Sequence, residues 1–412
     1  MRRVLSMALL PLVFMGLVTV FYVQRDPMSR SYAQKRVSWN SIYNLYVYYV
    51  LKQADGFVLA RAPKGSDGQP VGVPQPLTHF TDGFGLTESD SILSMQLSPD
   101  RRYLAIDGTR DHGEQVWVYD TWMGTLSLTP PNVIGNFLNW LPGSSSHTFL
   151  YRPVFPMNSL ASGDGHGWNP GLWEVNAATG KHKNIDIGVP SAFLIDAAPA
   201  PDGTRIVYST TPGLGMGSDT WLVNSDGGNR THLFSTPGDT PPLAGVFAWS
   251  PNGRMIAYER LADSPTPFLP ANLWIMDGHG RQQRYLAEAD GGHGYTLAWS
   301  PDSERIAFVK RTNVGDHLAD TNDQRLQCAI AISDVATLQS WVAASPAQTG
   351  MPINVNPSWS VDEKHIDFTA FYPINRVLGG SPHYWSTGAA RPQSGSSAIL
   401  ITPAVTHVVA TG

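Results

Sequence analysis

The chain is poor in cysteine and in charge. One thiol, Cys328, excludes a disulfide within the chain and any multi-cysteine zinc or iron-sulfur site. It lies in the apolar run Leu326 to Ser333, where a buried structural thiol is the expectation. Only 15% of the residues are charged, too few for long exposed helices laced with ion pairs. Basic residues do not cluster on the body of the chain: residues 1 to 36 hold six Arg and Lys against one Asp, and the remainder carries a net charge of −10. Nucleic acid is therefore excluded as a partner, because its recognition rests on grouped Lys and Arg that neutralise phosphates. Equally absent are Gly-x-Ser-x-Gly, His-Glu-x-x-His, the phosphate-binding loop and the dinucleotide-binding glycine pattern. On sequence, no cofactor, no metal site and no catalytic residue is assigned.

What the chain has instead is turn chemistry and aromatic surface. It holds 39 Gly, 32 Pro and 13 Trp, a composition suited to many short strands joined by tight turns. One long apolar run stands apart. From Val4 to Val23 no residue is charged, and as a helix rising about 1.5 Å per residue this run spans about 30 Å, the hydrocarbon thickness of a bilayer. Residues 1–25 are read as an N-terminal transmembrane signal anchor with the membrane crossed by 4–23, residues 26–41 as a linker, and residues 42–412 as the folded body. A cleaved signal peptide competes, with Ser31-Tyr32-Ala33 as its site. The apolar run is longer than the usual stretch of about 7 to 15 residues and ends well before that site. Arg2 and Arg3 precede the run while Arg25, Arg30, Lys35 and Arg36 follow it, so the positive-inside rule does not favour export of the body.

A repeat dominates the rest. The segments starting at Met95, Asn139, Ala198, Phe247, Leu297 and Pro357 align without gaps on the form apolar-Trp-Ser-Pro-Asp-Gly-x-x-apolar-Ala-aromatic. Each predicts two strands around a tight turn, because proline presets φ at the second turn position and Asp or Asn bonds its own following backbone. A second hairpin follows at Gln115, Leu172, Thr220, Leu273 and Ala329, with Asp-Gly or Thr-Gly turns between apolar strands in several of these. Four strands per unit, with the turn-proline position (Pro99, Pro142, Pro201, Pro251, Pro301, Val361) recurring at intervals of 43, 59, 50, 50 and 60 residues, predict a radial array of four-stranded sheets, an all-β propeller. Six units are visible. Strands expected near 44, 56 and 74, closed by the tail at 406, make a seventh sheet; seven is favoured and six is the alternative.

The pattern Trp-Ser-Pro-Asp-Gly, then Ile-Ala-Phe, then Trp-x-Met-Asp resembles the repeats of the TolB-like, WD-type β-propeller family. The resemblance covers residues 92 to 345 well and 354 to 371 in part. It implies a body outside the cytoplasm, at the bacterial envelope. Residues 24 to 55 are too short for the α/β domain that precedes the TolB propeller, so no place in a Tol system is implied.

In such an array the turns inside the hairpins share one rim, and the connections between hairpins and between sheets share the other. The first set reads as tight and the second as long and irregular, so ligand-binding groups are expected on the second. Candidates there are His112, Asp164, His166, Trp168, His293, Asp316, His317, Asp320 and His383. Histidine beside carboxylates is the material of general-base work or ligation, yet no spacing matches a metal motif. Phe155, Phe268, Trp168 and Trp385 lie near loop positions where aromatic surface would favour a peptide or sugar partner, while packing between blades is the commoner role of propeller aromatics. The favoured function is a membrane-tethered module that binds a protein or glycan. The alternatives are a sugar lyase or hydrolase using rim His and Asp, and a structural spacer.

Overall fold

A computed structural model describes residues 46–53, 56–63, 72–80, 91–110, 113–129, 135–143, 147–153, 171–186, 192–213, 215–237, 242–262, 268–291, 297–322, 325–360, 363–371, 383–389 and 400–401. The anchor and linker expected over 1–41 lie outside these residues, as does the tail strand expected at 406. Among the described residues no helix is long and apolar enough to cross a membrane.

The described residues form seven antiparallel sheets, six of four strands and one of three. Sheet 1 holds β1 (Tyr46–Gln53), β2 (Gly56–Pro63) and β3 (Gln75–His79). Sheet 2 holds β4 (Ser91–Leu97), β5 (Tyr103–Arg110), β6 (Gly113–Asp120) and β7 (Thr125–Leu128). Sheet 3 holds β8 (Gly135–Trp140), β9 (Thr148–Pro153), β10 (Leu172–Asn176) and β11 (His182–Asp186). Sheet 4 follows with β12 (Phe193–Pro199), β13 (Arg205–Thr211), β14 (Ser218–Asn224) and β15 (Thr231–Thr236). Sheet 5 has β16 (Leu243–Trp249), β17 (Met255–Leu261), β18 (Ala271–Asp277) and β19 (Arg284–Ala289). Sheet 6 has β20 (Ala298–Trp299), β21 (Arg305–Arg311), β22 (Cys328–Asp334) and β23 (Ser340–Ala344), followed by the single-turn helix α1 (Pro346–Thr349). Sheet 7 has β24 (Ile353–Trp359), β25 (His365–Phe371), β26 (His383–Gly388) and β27 (Leu400–Ile401). The sequence pattern predicts neither β26 nor β27, which lie beyond the long connection that follows β25.

Consecutive sheets pack face to face through apolar side chains. Ile275 and Leu286 of sheet 5 meet Trp299 and Phe308 of sheet 6, and Ile330 and Ile332 of sheet 6 meet Trp359 and Phe368 of sheet 7. Full burial of each such side chain is worth roughly 1.5–3 kcal/mol. The first strands of successive sheets also touch, β8 with β12, β12 with β16, β16 with β20 and β20 with β24, so they stand innermost around an axis. This is the seven-bladed propeller that the repeat predicts.

The recurring tryptophan does more than fill the core. At the end of a first strand, Trp140, Trp249, Trp299 and Trp359 donate Nε1–H to the carbonyls of Gln96, Ala198, Ala248 and Ala298, at 2.8, 3.1, 2.8 and 2.7 Å. Each acceptor belongs to the first strand of the preceding sheet, so the ring is bonded strand to strand through its indoles. Pro199 takes this place in sheet 4, where Asn139 Nδ2 of sheet 3 donates to the Ala197 carbonyl instead, at 3.0 Å.

The Ser-Pro-Asp-Gly turn closes as its chemistry requires. Oγ of Ser98, Ser250, Ser300 and Ser360 accepts the amide of Tyr103, Met255, Arg305 and His365, at 3.0, 2.9, 2.8 and 2.9 Å. The Gly position is left-handed in five sheets, with φ of 66° at Arg101, 72° at Gly203, 70° at Gly253, 67° at Ser303 and 60° at Glu363. Sheet 3 departs from the gap-free alignment. Trp140 pairs with Phe149, whereas Trp249 pairs with Ile256, so the turn carrying Ser144 to Ser146 is two residues longer.

Register identifies the three strands of sheet 1. In sheets 3, 4, 5 and 6 the ladder between third and fourth strands carries a one-residue shift. The ladders between second and third strands in sheets 2, 4, 5, 6 and 7 carry none. The β2–β3 ladder is shifted and the β1–β2 ladder is not. Strands β1, β2 and β3 therefore occupy the second, third and fourth positions. The chain enters β1 at the rim that carries the hairpin turns, and the end of β2 at Pro63 and the start of β3 at Gln75, twelve residues apart, lie on that rim too. The turns of that rim are thus not uniformly tight.

Candidate functional site

The connection rim carries a long excursion that is described almost throughout, the segment between β21 and β22. Its base is zipped: Thr312 N donates to Gln327 O at 2.8 Å, and Asn313 Nδ2 donates to Arg325 O at 2.9 Å. Gln327 N returns a bond to Asn313 Oδ1 at 3.0 Å. Arg311 pins it from below. Its side chain is 1% exposed, and its guanidinium donates to Phe268 O at 2.5 Å and to Asp320 Oδ1 at 2.7 Å. Phe268 N donates to Asp320 O at 2.7 Å, and the Phe268 ring packs on Ala319 and Leu326. A segment held at both backbone and side chain is a fixed platform.

Three candidates lie on this platform. Asp316 accepts the amide of Leu318 at 3.1 Å and faces Arg325 at 3.6 Å. Against the desolvation that raises it, the Asp316 carboxyl is held below its ordinary range by the amides of Ala319 and Leu318 and by Arg325. Asp320 is committed to Arg311. His317 lies 3.5 Å from Asp320 Oδ2 with its side chain 94% exposed, and beside it Leu318 is 61% and Val314 51% exposed. The platform thus turns two apolar side chains and an imidazole to solvent, while its carboxylates serve the loop.

His112, Asp164, His166, Trp168 and His293 lie outside the described residues, as does Phe155. His383 opens β26 opposite Ala370, and Trp385 pairs with Phe368 in the same ladder. Of the two roles open to Phe268, packing is the one observed: it is 7% exposed and serves as the core of the platform. Among the described residues no group of three or more His, Cys, Asp or Glu is placed to hold a metal ion.

A buried acid that sequence patterns did not single out lies below the same rim. Glu259 of β17 is 1% exposed, and burial, followed by the charge of Asp290, pushes its carboxyl well above the ordinary value. Asp290 is itself buried, at the end of sheet 5, with its amide bonded to Val309 O at 2.9 Å. Glu259 follows the aromatic Tyr258 in its strand. The matching positions in other sheets hold Asp107, Arg152, Ser209, Val309 and Thr369, so no repeat signal marks it.

Among solved structures, an oligogalacturonate lyase in complex with manganese aligns at a TM-score of 0.53 with 15% identity, covering 85% of this chain and 86% of its own. An oligogalacturonate lyase from Vibrio parahaemolyticus aligns at 0.55 with 12% identity, covering 92% and 93%. The shared fold is a β-propeller. TolB from Acinetobacter baumannii aligns at 0.43 with 15% identity over 72% of this chain and 63% of its own. At these identities the likeness carries the architecture alone. No protein-family model and no curated protein matches the chain. The buried Arg311, which donates to both Phe268 O and Asp320, is the feature that sequence reasoning missed. A basic residue ending an apolar second strand, Arg311 after Phe308-Val309-Lys310, is the signal that was available.

Proposed function

We propose that this chain is a membrane-tethered, extracytoplasmic propeller that binds a protein or glycan ligand on its connection rim and acts as a scaffold rather than as an enzyme. The observation that supports it best is the pinned platform at 312–327, which presents Val314, His317 and Leu318 outward from a rigid base. Exposed apolar side chains on a preorganised loop lower the ordering cost of binding. The uncharged run from Val4 to Val23 supports the tether, and the family resemblance supports the placement outside the cytoplasm. A lyase or hydrolase asks for free carboxylates around a histidine. On the platform Asp316 faces Arg325 and Asp320 is bonded to Arg311.

The test is retention of ligands from native membrane extracts and on a glycan array, comparing the full chain with Leu318→Asp and His317→Ala. Binding by the full chain that falls at least tenfold in Leu318→Asp, about 1.4 kcal/mol, supports the reading. Equal binding by all three, or turnover of a glycan by the full chain, overturns it.

A further inference from the structure

The turn rim carries an apolar sector that the fold does not require. Val73 is 87%, Met123 71% and Trp122 66% exposed, the three highest values among the large hydrophobic side chains described. Trp122 and Met123 form the tip of the β6–β7 turn, whose backbone is closed by Asp120 Oδ1 accepting both of their amides, at 2.9 and 3.0 Å. The equivalent turns do the same with small or polar tips. Asn176 accepts the amides of Ala178 and Thr179, Asp277 that of His279, and Asp334 those of Ala336 and Thr337. A large apolar pair is therefore not a demand of the turn. Val73 precedes β3 on the same rim in sheet 1, and sheets 1 and 2 pack directly together through Leu59, Phe80, Leu104 and Trp117. The sector thus lies on adjoining blades.

The N-terminal segment leads to the same rim. Register places the start of β1 at the turn rim, so Tyr46 stands on the rim that carries Val73, Trp122 and Met123. The 22 residues from Gln24 to Leu45, at up to about 3.3–3.6 Å each, give a tether too long to hold either rim against a bilayer unaided. An apolar foot on that rim supplies the second contact that fixes orientation. Its composition fits a headgroup boundary. The Arg102 guanidinium lies 4.8 Å from the centroid of the Trp122 ring, joining a cation to an amphipathic aromatic, and Trp favours that depth.

We propose that Val73, Trp122 and Met123 rest in the interfacial region of the bilayer, so that the turn rim faces the membrane and the connection rim faces away from it. This rests on the tethered reading above and adds an orientation to it. The test uses the full chain in vesicles of phosphatidylethanolamine and phosphatidylglycerol, labelled with an environment-sensitive fluorophore at Met123→Cys or, on the opposite rim, at Met216→Cys, which is also an exposed position. The native Cys328 is buried and stays unlabelled. The expected result is a blue shift and quenching by spin-labelled lipid at 123, with quenching by aqueous iodide alone at 216. Lipid quenching at 216 but not at 123 reverses the orientation and overturns the proposal. Iodide quenching at 123, or quenching by neither agent because protein covers the patch, overturns it while vesicle flotation shows the tether intact. A chain that fails to float with vesicles overturns both the tether and the foot.

Discussion

Nε1 of Trp299 donates to the carbonyl oxygen of Ala248 at 2.8 Å, joining the innermost strand of one blade to that of the blade before it. The same bond recurs from Trp249 to Ala198 and from Trp359 to Ala298. Replacing the indole by a ring without a donor keeps most of the packing and leaves the carbonyl without this partner. Trp299→Phe is expected to cost about 1–3 kcal/mol in chemical denaturation, combining the lost bond with the smaller ring. Trp122→Phe, at the exposed tip, is expected to stay within about 0.5 kcal/mol of the parent chain. Equal losses in the two variants contradict the bonding role.

The platform makes a second prediction. Arg311 is buried with two acceptors, so Arg311→Met leaves Asp320 without its counter-ion and Phe268 O without its donor. A loss of roughly 3 kcal/mol is expected. Limited proteolysis is expected to open the chain first between residues 312 and 327. Cleavage elsewhere first, or unchanged resistance, contradicts the pinning.

Glu259 predicts a pH dependence. Its carboxyl is raised well above the ordinary 4.5, first by burial and then by Asp290, so the folded chain holds this proton more tightly than the unfolded one. The stability it contributes is complete below pH 4.5 and is lost as pH rises toward the folded value. Glu259→Gln keeps the shape and removes the titration. Its stability relative to the parent is expected to grow as pH rises above that ordinary value, and parallel stability curves across that window contradict the assignment.

The propeller was legible because its turns repeat chemistry as well as hydrophobicity. Ser250 and Ser300 each bond the amide five residues on, and the left-handed position after Asn252 or Asp302 recurs, so the same four residues mark the same corner in blade after blade. Sheet 3 aligned without a gap although its turn is two residues longer, because the extra residues leave both strand patterns undisturbed. Strands β26 and β27 follow long connections and lack the Asp-Gly signal of the other second hairpins. Which loop residues face solvent was legible only in part, since His317 is exposed as expected while Asp320 is bonded inward to Arg311. Phe268 and Asp320 read as loop residues in sequence, and their burial or pairing is decided by Arg311, a residue of a different blade from Phe268. Packing between non-adjacent segments leaves no local period to read.

The working surface assigned to the connection rim is tested most directly by photocrosslinking in native membranes, with a photoreactive residue placed at Leu318 or at Thr337. Both positions are exposed in sheet 6, on opposite rims. A discrete adduct from 318 and none from 337 is the predicted result. Adducts from 337 alone, or the same adduct from both positions, contradict it.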